Sequence, residues 1–324
     1  MLDVKTAVMD PLVRLDRRDR RADKFFRLAV QSCAIFVLIA LLGAALSMLI
    51  GGREAFSTFG WKFLWSKDWD PVQKQFGALI PIYGTLVTSL LAMIFAVPIS
   101  FGIAIFLTEI APRWMRLPIA SAIDLLAGIP SIIYGMWGLF IFAPFMGAHV
   151  DPWLNSHWGS LPVIGALFRG PNMGLGMLTA GVVLAVMVIP FIAAVMREVF
   201  STVPSPLKES AYALGSTTWE VVWNVVLPYT RSAVTGGIFL GLGRALGETM
   251  AVTFVLGNTH RLAASLLEPG NSIAATIANE FTEADSSLYL SSLIALGFLL
   301  FVVTFIVLTI ARLMLRRMAR LEGN

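Results

Sequence analysis

Residues 75–108 read QFGALIPIYGTLVTSLLAMIFAVPISFGIAIFLT, a run without a single Asp, Glu, Lys or Arg. A spanning helix needs ~20 mostly apolar residues to cross a hydrocarbon core of ~30 Å, so this run is more than long enough. In lipid, backbone N–H and C=O groups must be satisfied within a helix or a closed barrel. The run lacks the apolar-polar alternation of a barrel strand, so it reads as a membrane helix.

Working outward, residues 28–52, 125–148, 170–196 and 286–311 are equally free of charge, and a further apolar stretch at about 232–259 is interrupted only by Arg244 and Glu248. Of the 324 residues 57% are hydrophobic and 14% charged, against roughly 25% charged in a soluble domain. The expectation is an all-α integral membrane protein of about six transmembrane helices. It divides into a basic leader (1–27), a transmembrane domain (28–313) containing a cytoplasmic loop (197–230), and a short tail (314–324).

The cations set the orientation. With the N-terminus inside, seventeen Lys and Arg fall on the cytoplasmic side, among them Arg14, Arg17, Arg113, Arg116, Arg197, Lys208, Arg231, Arg312, Arg316, Arg317 and Arg320. Six fall outside: Arg53, Lys62, Lys67, Lys74, Arg169 and Arg261. The positive-inside rule puts both termini in the cytoplasm. The first span follows a long polar leader and is too long for a secretory signal, so it is expected to stay as an anchor. The leader interleaves Asp10, Asp16, Asp19 and Asp23 with its arginines, which favours topology and contact with anionic membrane lipid over nucleic acid. Cys33, the single cysteine, sits among apolar residues and is expected to be a buried, inert thiol.

The connections differ. Segment 51–77 carries Trp61, Trp65 and Trp69 at intervals of four, which on one helix puts three indoles on a single face, for headgroup anchoring or for docking an external partner. Segment 147–172 holds His149, Asp151 and His157, a poor metal set, and no metal site is expected. Segment 260–287, with Glu268, Glu280, Glu283 and Asp285, reads as a solvated outer loop. Asp124, about six residues into the third span, reads equally as a polar gate contact or an interfacial residue.

Segment 197–230 predicts ordered structure. Ser205-Pro206 reads as an N-cap with proline at the first helical position, and Gly215 as the helix end. Thr217 with Glu220 forms a capping box for a second helix, which Pro228 is expected to terminate. Here the chain reads Glu209-Ser210-Ala211, three residues, Gly215, nine residues, Val225, one residue, Leu227-Pro228. This resembles the EAA loop of bacterial ABC import permeases, with Ser210 and Val225 as conservative departures. The resemblance implies a coupling helix that docks on an ATP-hydrolysing partner: small Ser210 and Ala211 permit close approach, Glu209 offers an acceptor, and Gly215 turns the chain. None of the six lysines follows a glycine, so the chain has no P-loop of its own and is expected not to be an enzyme. ATP and Mg would be bound by the partner.

Around Arg244 the chain reads Gly236-Gly237, Gly241, Gly243, Gly247-Glu248. Arg244 lies 13 residues past Arg231, ~20 Å along a helix, where a cation in lipid costs ~2.5–3.5 kcal/mol. On a continuous helix Gly237, Gly241, Arg244 and Glu248 form one stripe, and Gly236, Gly243 and Gly247 a second, implying two close helix contacts. Either Arg244 and Glu248 form a self-neutralising pair, or Arg244 meets an anion while Glu248 moderates its hold; the less favourable Arg-before-Glu order speaks for the second.

The runs Ile80 to Leu86 (IPIYGTL), Ile129 to Gly138 (IPSIIYGMWG) and Gly241 to Met250 (GLGRALGETM) resemble the PstC family of phosphate-specific permeases, from about Phe59 to the C-terminus. That resemblance implies the type I ABC importer permease fold and phosphate as substrate. It also implies a PstA-like sister permease, a PstB-like ATPase dimer and a PstS-like periplasmic binding protein. Alternatives are a permease for sulfate or molybdate, or a proton-coupled secondary transporter using Glu248.

Overall fold

The computed structural model describes residues 4–162 and 164–322, with side chains for 22–162 and 164–315. The side chains of the leader's first 21 residues, and of Arg316, Arg317 and Arg320, lie outside the described residues. The described chain is helical, and the one β-bridge joins Asp70 and Gln75.

Residues 1–51 form one compact unit and 52–324 another. The first is a single helix, α1 (Val4–Gly51), which joins leader and first span; its apolar stretch Ala22–Gly51 packs against nothing in its own unit. Cys33 is therefore exposed, contrary to the expected burial.

In the second unit α2 (Arg53–Phe59) and α3 (Lys62–Trp65) are short, and α4 (Leu79–Ile105) is a long span extended by a π-helical turn at Phe106–Ile110. Then come α5 (Arg113–Ala127), and α6 (Ser131–Trp137), α7 (Ala143–Phe145) and α8 (Asp151–His157), which π-helical turns join into one span. The span α9 (Met177–Ser201) leads to α10 (Ser205–Ala213). The helix α11 (Thr218–Val221) continues through a π-helical turn at Val222–Val226 into α12 (Leu227–Leu246). Two short helices, α13 (Met250–Val255) and α14 (Ile273–Glu280), precede the last span α15 (Ser287–Glu322).

Six helical segments among the described residues are long and apolar enough to cross a bilayer: 22–51, 79–110, 131–157, 177–201, 218–246 and 287–315. The even number puts both ends on one side, and the cation distribution makes that side the cytoplasm. Reporter fusions at Pro112 and Pro204 are expected to report cytoplasm, and fusions at Ser160 and Glu268 the outside; one inversion would break this topology.

The span α9 is the most buried of the six. A Cβ on Gly181 would stand 2.6 Å from Leu91 Cβ, so α9 and α4 meet closely there. Farther along, Ser100 Oγ donates to the Ile189 carbonyl at 3.0 Å. The helix α13 packs on α6, where a Cβ on Gly135 would lie 2.9 Å from the Met250 carbonyl oxygen. Gly84 has its own reason: a Cβ there would sit 1.9 Å from the Asn271 carbonyl oxygen.

Several expectations are corrected. The helix that follows Trp61 stops at Trp65, so the three indoles do not share a face; Trp61 and Trp65 are exposed while Trp69 turns into the core. Segment 260–287 is packed as well as polar. Asn271, Ser272 and Thr276 are buried, Ile273 N donates to Thr85 Oγ1, and the chain doubles back so that Gly270 N donates to the Leu256 carbonyl. The third span begins at Ser131 and runs through His149 and Asp151, so the charge-free run 125–148 straddles the Gly128-Pro130 break. Asp124 lies on α5, outside that span, paired with Arg197 of α9 at 3.4 Å.

One buried cluster ties the outer segments together. Trp69 Nε1 and Tyr289 OH both donate to Glu280 Oε2 at 2.6 Å, His260 Nε2 lies 2.8 Å from Oε1, and the indole stacks on the imidazole. Burial opposes ionisation of Glu280, but the hydrogen bonds from His260, Tyr289 and Trp69 together outweigh it and hold the carboxyl below its ordinary value of 4.5. A depressed acid stabilises the fold fully above its unfolded value, and that contribution is lost as the pH falls from about 4.5 through the native value. Glu280→Gln is expected to lower the melting temperature at pH 7 and to flatten its decline below about pH 4.5; an unchanged acid limb would remove Glu280 as its source.

Candidate functional site

The Arg244 region is set by how α12 approaches α9. A Cβ on Gly237 would stand 2.8 Å from Val195 Cγ1, and one on Gly241 2.6 Å from Ile192. The first glycine stripe thus makes the close contact the spacing predicts. The second does not: Gly243 meets only Leu308, at 3.6 Å, and Gly236 has open space.

Arg244 is exposed on this chain, its guanidinium 5.8 Å from the centroid of Phe191, near the middle of α9. The helix ends two residues later at Leu246, with Gly247 as C-cap, so Glu248 leaves the stripe on which a continuous helix would hold it. Its Oε1 instead accepts from Ala251 N at 3.3 Å, at the start of α13. Among the described residues no ion pair joins Arg244 to Glu248, and no carboxylate lies within ion-pair distance of Arg244. The self-neutralising arrangement is therefore absent. What remains is a guanidinium on an aromatic face whose planar fork of donors is free for two oxygens of an oxyanion.

The loop after α9 forms the expected helix, bend and helix. Gly215 adopts φ +88°, and its N–H bonds to the Tyr212 carbonyl while Ser216 N bonds to that of Ala211, a Schellman ending only glycine enters without strain. Thr217 and Glu220 form the capping box. Two details differ. Pro204, with ψ 130°, is the N-cap, and Ser205 is the first helical residue without a capping bond. Pro228 does not end a helix, because it follows the wide π-helical turn at Val222–Val226, where Leu227 N reaches back to the Val222 carbonyl and the chain runs on into α12.

Glu209, Ser210 and Gly215 are exposed and Ala211 is half-buried, so one side of α10 is open to a partner. On the other side Lys208 Nζ meets Glu109 Oε1 at 2.6 Å, both side chains largely buried. Glu109 lies in the π-helical turn that ends span α4. This pair, 99 residues apart in sequence, fastens α10 to the bundle and was not found from the sequence. The one hint is an acid at the very end of a charge-free run.

Six candidate spans, an ordered loop between the fourth and fifth, and on a close-packed helix a cation that pairs with no carboxylate among the described residues define the class: a membrane permease. The chain belongs to the family of inner-membrane components of binding-protein-dependent transport systems, whose sequence profile matches residues 96–320. It is 66% identical over 309 residues, 95% of each chain, to the phosphate transport system permease protein PstC of Xylella fastidiosa. To the PstC of Pasteurella multocida it is 60% identical over 92% of this chain and 93% of the relative. To PstC 2 of Mycobacterium tuberculosis it is 39% identical over 93% and 94%. Among solved structures it resembles a bacterial alginate ABC transporter in complex with an alginate-bound periplasmic protein (TM-score 0.60, 19% identity, 93% of this chain and 97% of that one). It also resembles the MetNI methionine ABC transporter in an inward-facing form (TM-score 0.54, 16% identity, 73% and 94%). At such identities the likeness is one of fold. The chain is a multi-pass inner-membrane permease subunit that works with the other parts of an ABC importer.

Proposed function

We propose that this chain forms, with a PstA-like sister permease, the path by which inorganic phosphate crosses the inner membrane. A PstS-like periplasmic protein delivers the phosphate, and a PstB-like ATPase dimer binds ATP and Mg. The observation that carries an anion path is Arg244: a cation with no carboxylate partner among the described residues, level with the middle of the most buried span. Phosphate in particular is supported by the 66% identity to a protein named as a phosphate permease. In this reading Arg244 pairs with phosphate oxygens and Glu248 keeps the hold weak enough for release. Glu209, Ser210, Ala211 and Gly215 form the surface on the ATPase.

Uptake of radiolabelled phosphate by vesicles carrying the assembled transporter tests the reading. Excess unlabelled phosphate is expected to compete, sulfate and molybdate are not, and vanadate is expected to stop uptake. Competition by sulfate or molybdate alone would assign another oxyanion, and vanadate-resistant, proton-driven uptake would assign a secondary transporter.

A further inference from the structure

On the cytoplasmic side, between the end of α4, α5, the end of α9 and the start of α10, lies a pocket of about 530 Å³. Arg116, Arg197 and Lys208 line it together with the hydroxyl residues Thr108, Ser201 and Ser205. Three cations from three helices thus converge on one concavity, beside the positive end of the α10 dipole at Ser205.

Two carboxylates oppose them, and neither exhausts the donors. Glu109, which does not line the pocket, is taken by Lys208. Asp124 reaches only Arg197 Nη2, at a long 3.4 Å, and Arg197 Nη1 is buried with no hydrogen-bond partner. Arg116 uses Nε on the Ala111 carbonyl at 2.7 Å, which leaves its terminal nitrogens free. One net positive charge and several unspent guanidinium donors remain, a set suited to a phosphate group. On the same α5, Trp114 and Leu117 are exposed beside Arg113 and Arg116, the arrangement of a helix lying at the inner-leaflet interface.

We infer that this pocket binds a phosphate group at the cytoplasmic surface, held by Arg116 and Arg197 against the foot of the coupling helix. The site is separate from Arg244 and holds whether or not phosphate is the transported ion. Either an anionic inner-leaflet phospholipid or inorganic phosphate could supply the group.

The assembled transporter, purified in mild detergent, distinguishes them. Phosphatidylglycerol is added and the retained lipid counted by mass spectrometry; separately, the melting temperature is followed during titration with inorganic phosphate. Arg116→Gln is compared with wild type, and Arg197→Lys serves as a second variant that keeps the Asp124 pair should the first assemble poorly. A roughly ten-fold loss of retained phosphatidylglycerol in Arg116→Gln supports the site and identifies lipid as the source. A phosphate-dependent stabilisation of wild type that persists in Arg244→Leu and disappears in Arg116→Gln supports it and identifies the free ion. Equal lipid retention and equal phosphate response in wild type and both variants would overturn the inference, as would lipid bound only by permease stripped of its ATPase, which would give the pocket to that partner.

Discussion

Arg244→Leu leaves the transporter assembled at its normal level and brings phosphate uptake down to background. The assembly half follows from the geometry: with no carboxylate among the described residues within pairing distance of Arg244, its removal strands no buried charge, and the close contacts of α12 on α9 belong to Gly237 and Gly241. The transport half follows from the proposed role. Two charge-assisted hydrogen bonds at ~1.5–3 kcal/mol each correspond to a loss of roughly a hundred-fold or more. Arg244→Lys is expected to retain part of the activity, about ten-fold down, because lysine keeps the charge and gives up the planar fork. Glu248→Gln preserves an acceptor for Ala251 N and so is expected to change affinity or turnover with assembly intact. The double Arg244→Leu, Glu248→Leu variant separates this reading from mutual neutralisation: two residues that only cancel each other are dispensable together. Wild-type uptake per assembled complex in that variant would remove Arg244 from the path.

What the sequence revealed and what it hid divide along a physical line. Features written locally were legible: charge-free runs long enough for the bilayer, the glycine that ends α10 in a left-handed turn, and the Thr217 to Glu220 box. Features that depend on a distant segment were not. Nothing near Glu109 indicates that Lys208 will meet it, and nothing near Trp69 indicates Glu280. The break after Leu246 was hidden because residues 232–259 keep an apolar, glycine-rich pattern straight through it; Gly247 beside Glu248 and Thr249 was the available signal. Pro228 misled for the opposite reason, since a π-helical turn absorbs a residue that would end an ordinary helix. The outer segment 260–287 looked solvated because polarity suggests water. Its Asn271, Ser272 and Thr276 instead satisfy one another's backbone and are buried.

Lys208 and Glu109 explain how a stroke delivered to α10 could reach the spans. In the proposed coupling role the exposed Glu209 and Ser210 lie on the open side of a nine-residue helix whose Ala211 packs toward the core, and a helix that short would rock on its own if nothing fixed its other side. The 2.6 Å pair to the end of α4 supplies that fixture, so motion of α10 pulls directly on a span packed along α9. Removing one partner strands a largely buried charge and is expected to cost ~3–5 kcal/mol locally, so Lys208→Met alone lowers both assembly and uptake. Lys208→Met with Glu109→Leu removes both charges and is expected to recover assembly while uptake per ATP hydrolysed stays low. The exchanged pair, Lys208→Glu with Glu109→Lys, restores the link and is expected to recover uptake in part. Glu209→Lys acts on the other side: Glu209 is exposed, so the permease stays in the membrane while ATPase recruitment and uptake are lost. Gly215→Val strains the left-handed turn by about 1–2 kcal/mol or more in open space, and is expected to show the same uncoupling through the backbone. The measurement is ATP hydrolysis and phosphate uptake on the same vesicles, and wild-type coupling in the Met/Leu double variant would show that α10 transmits its motion by another route.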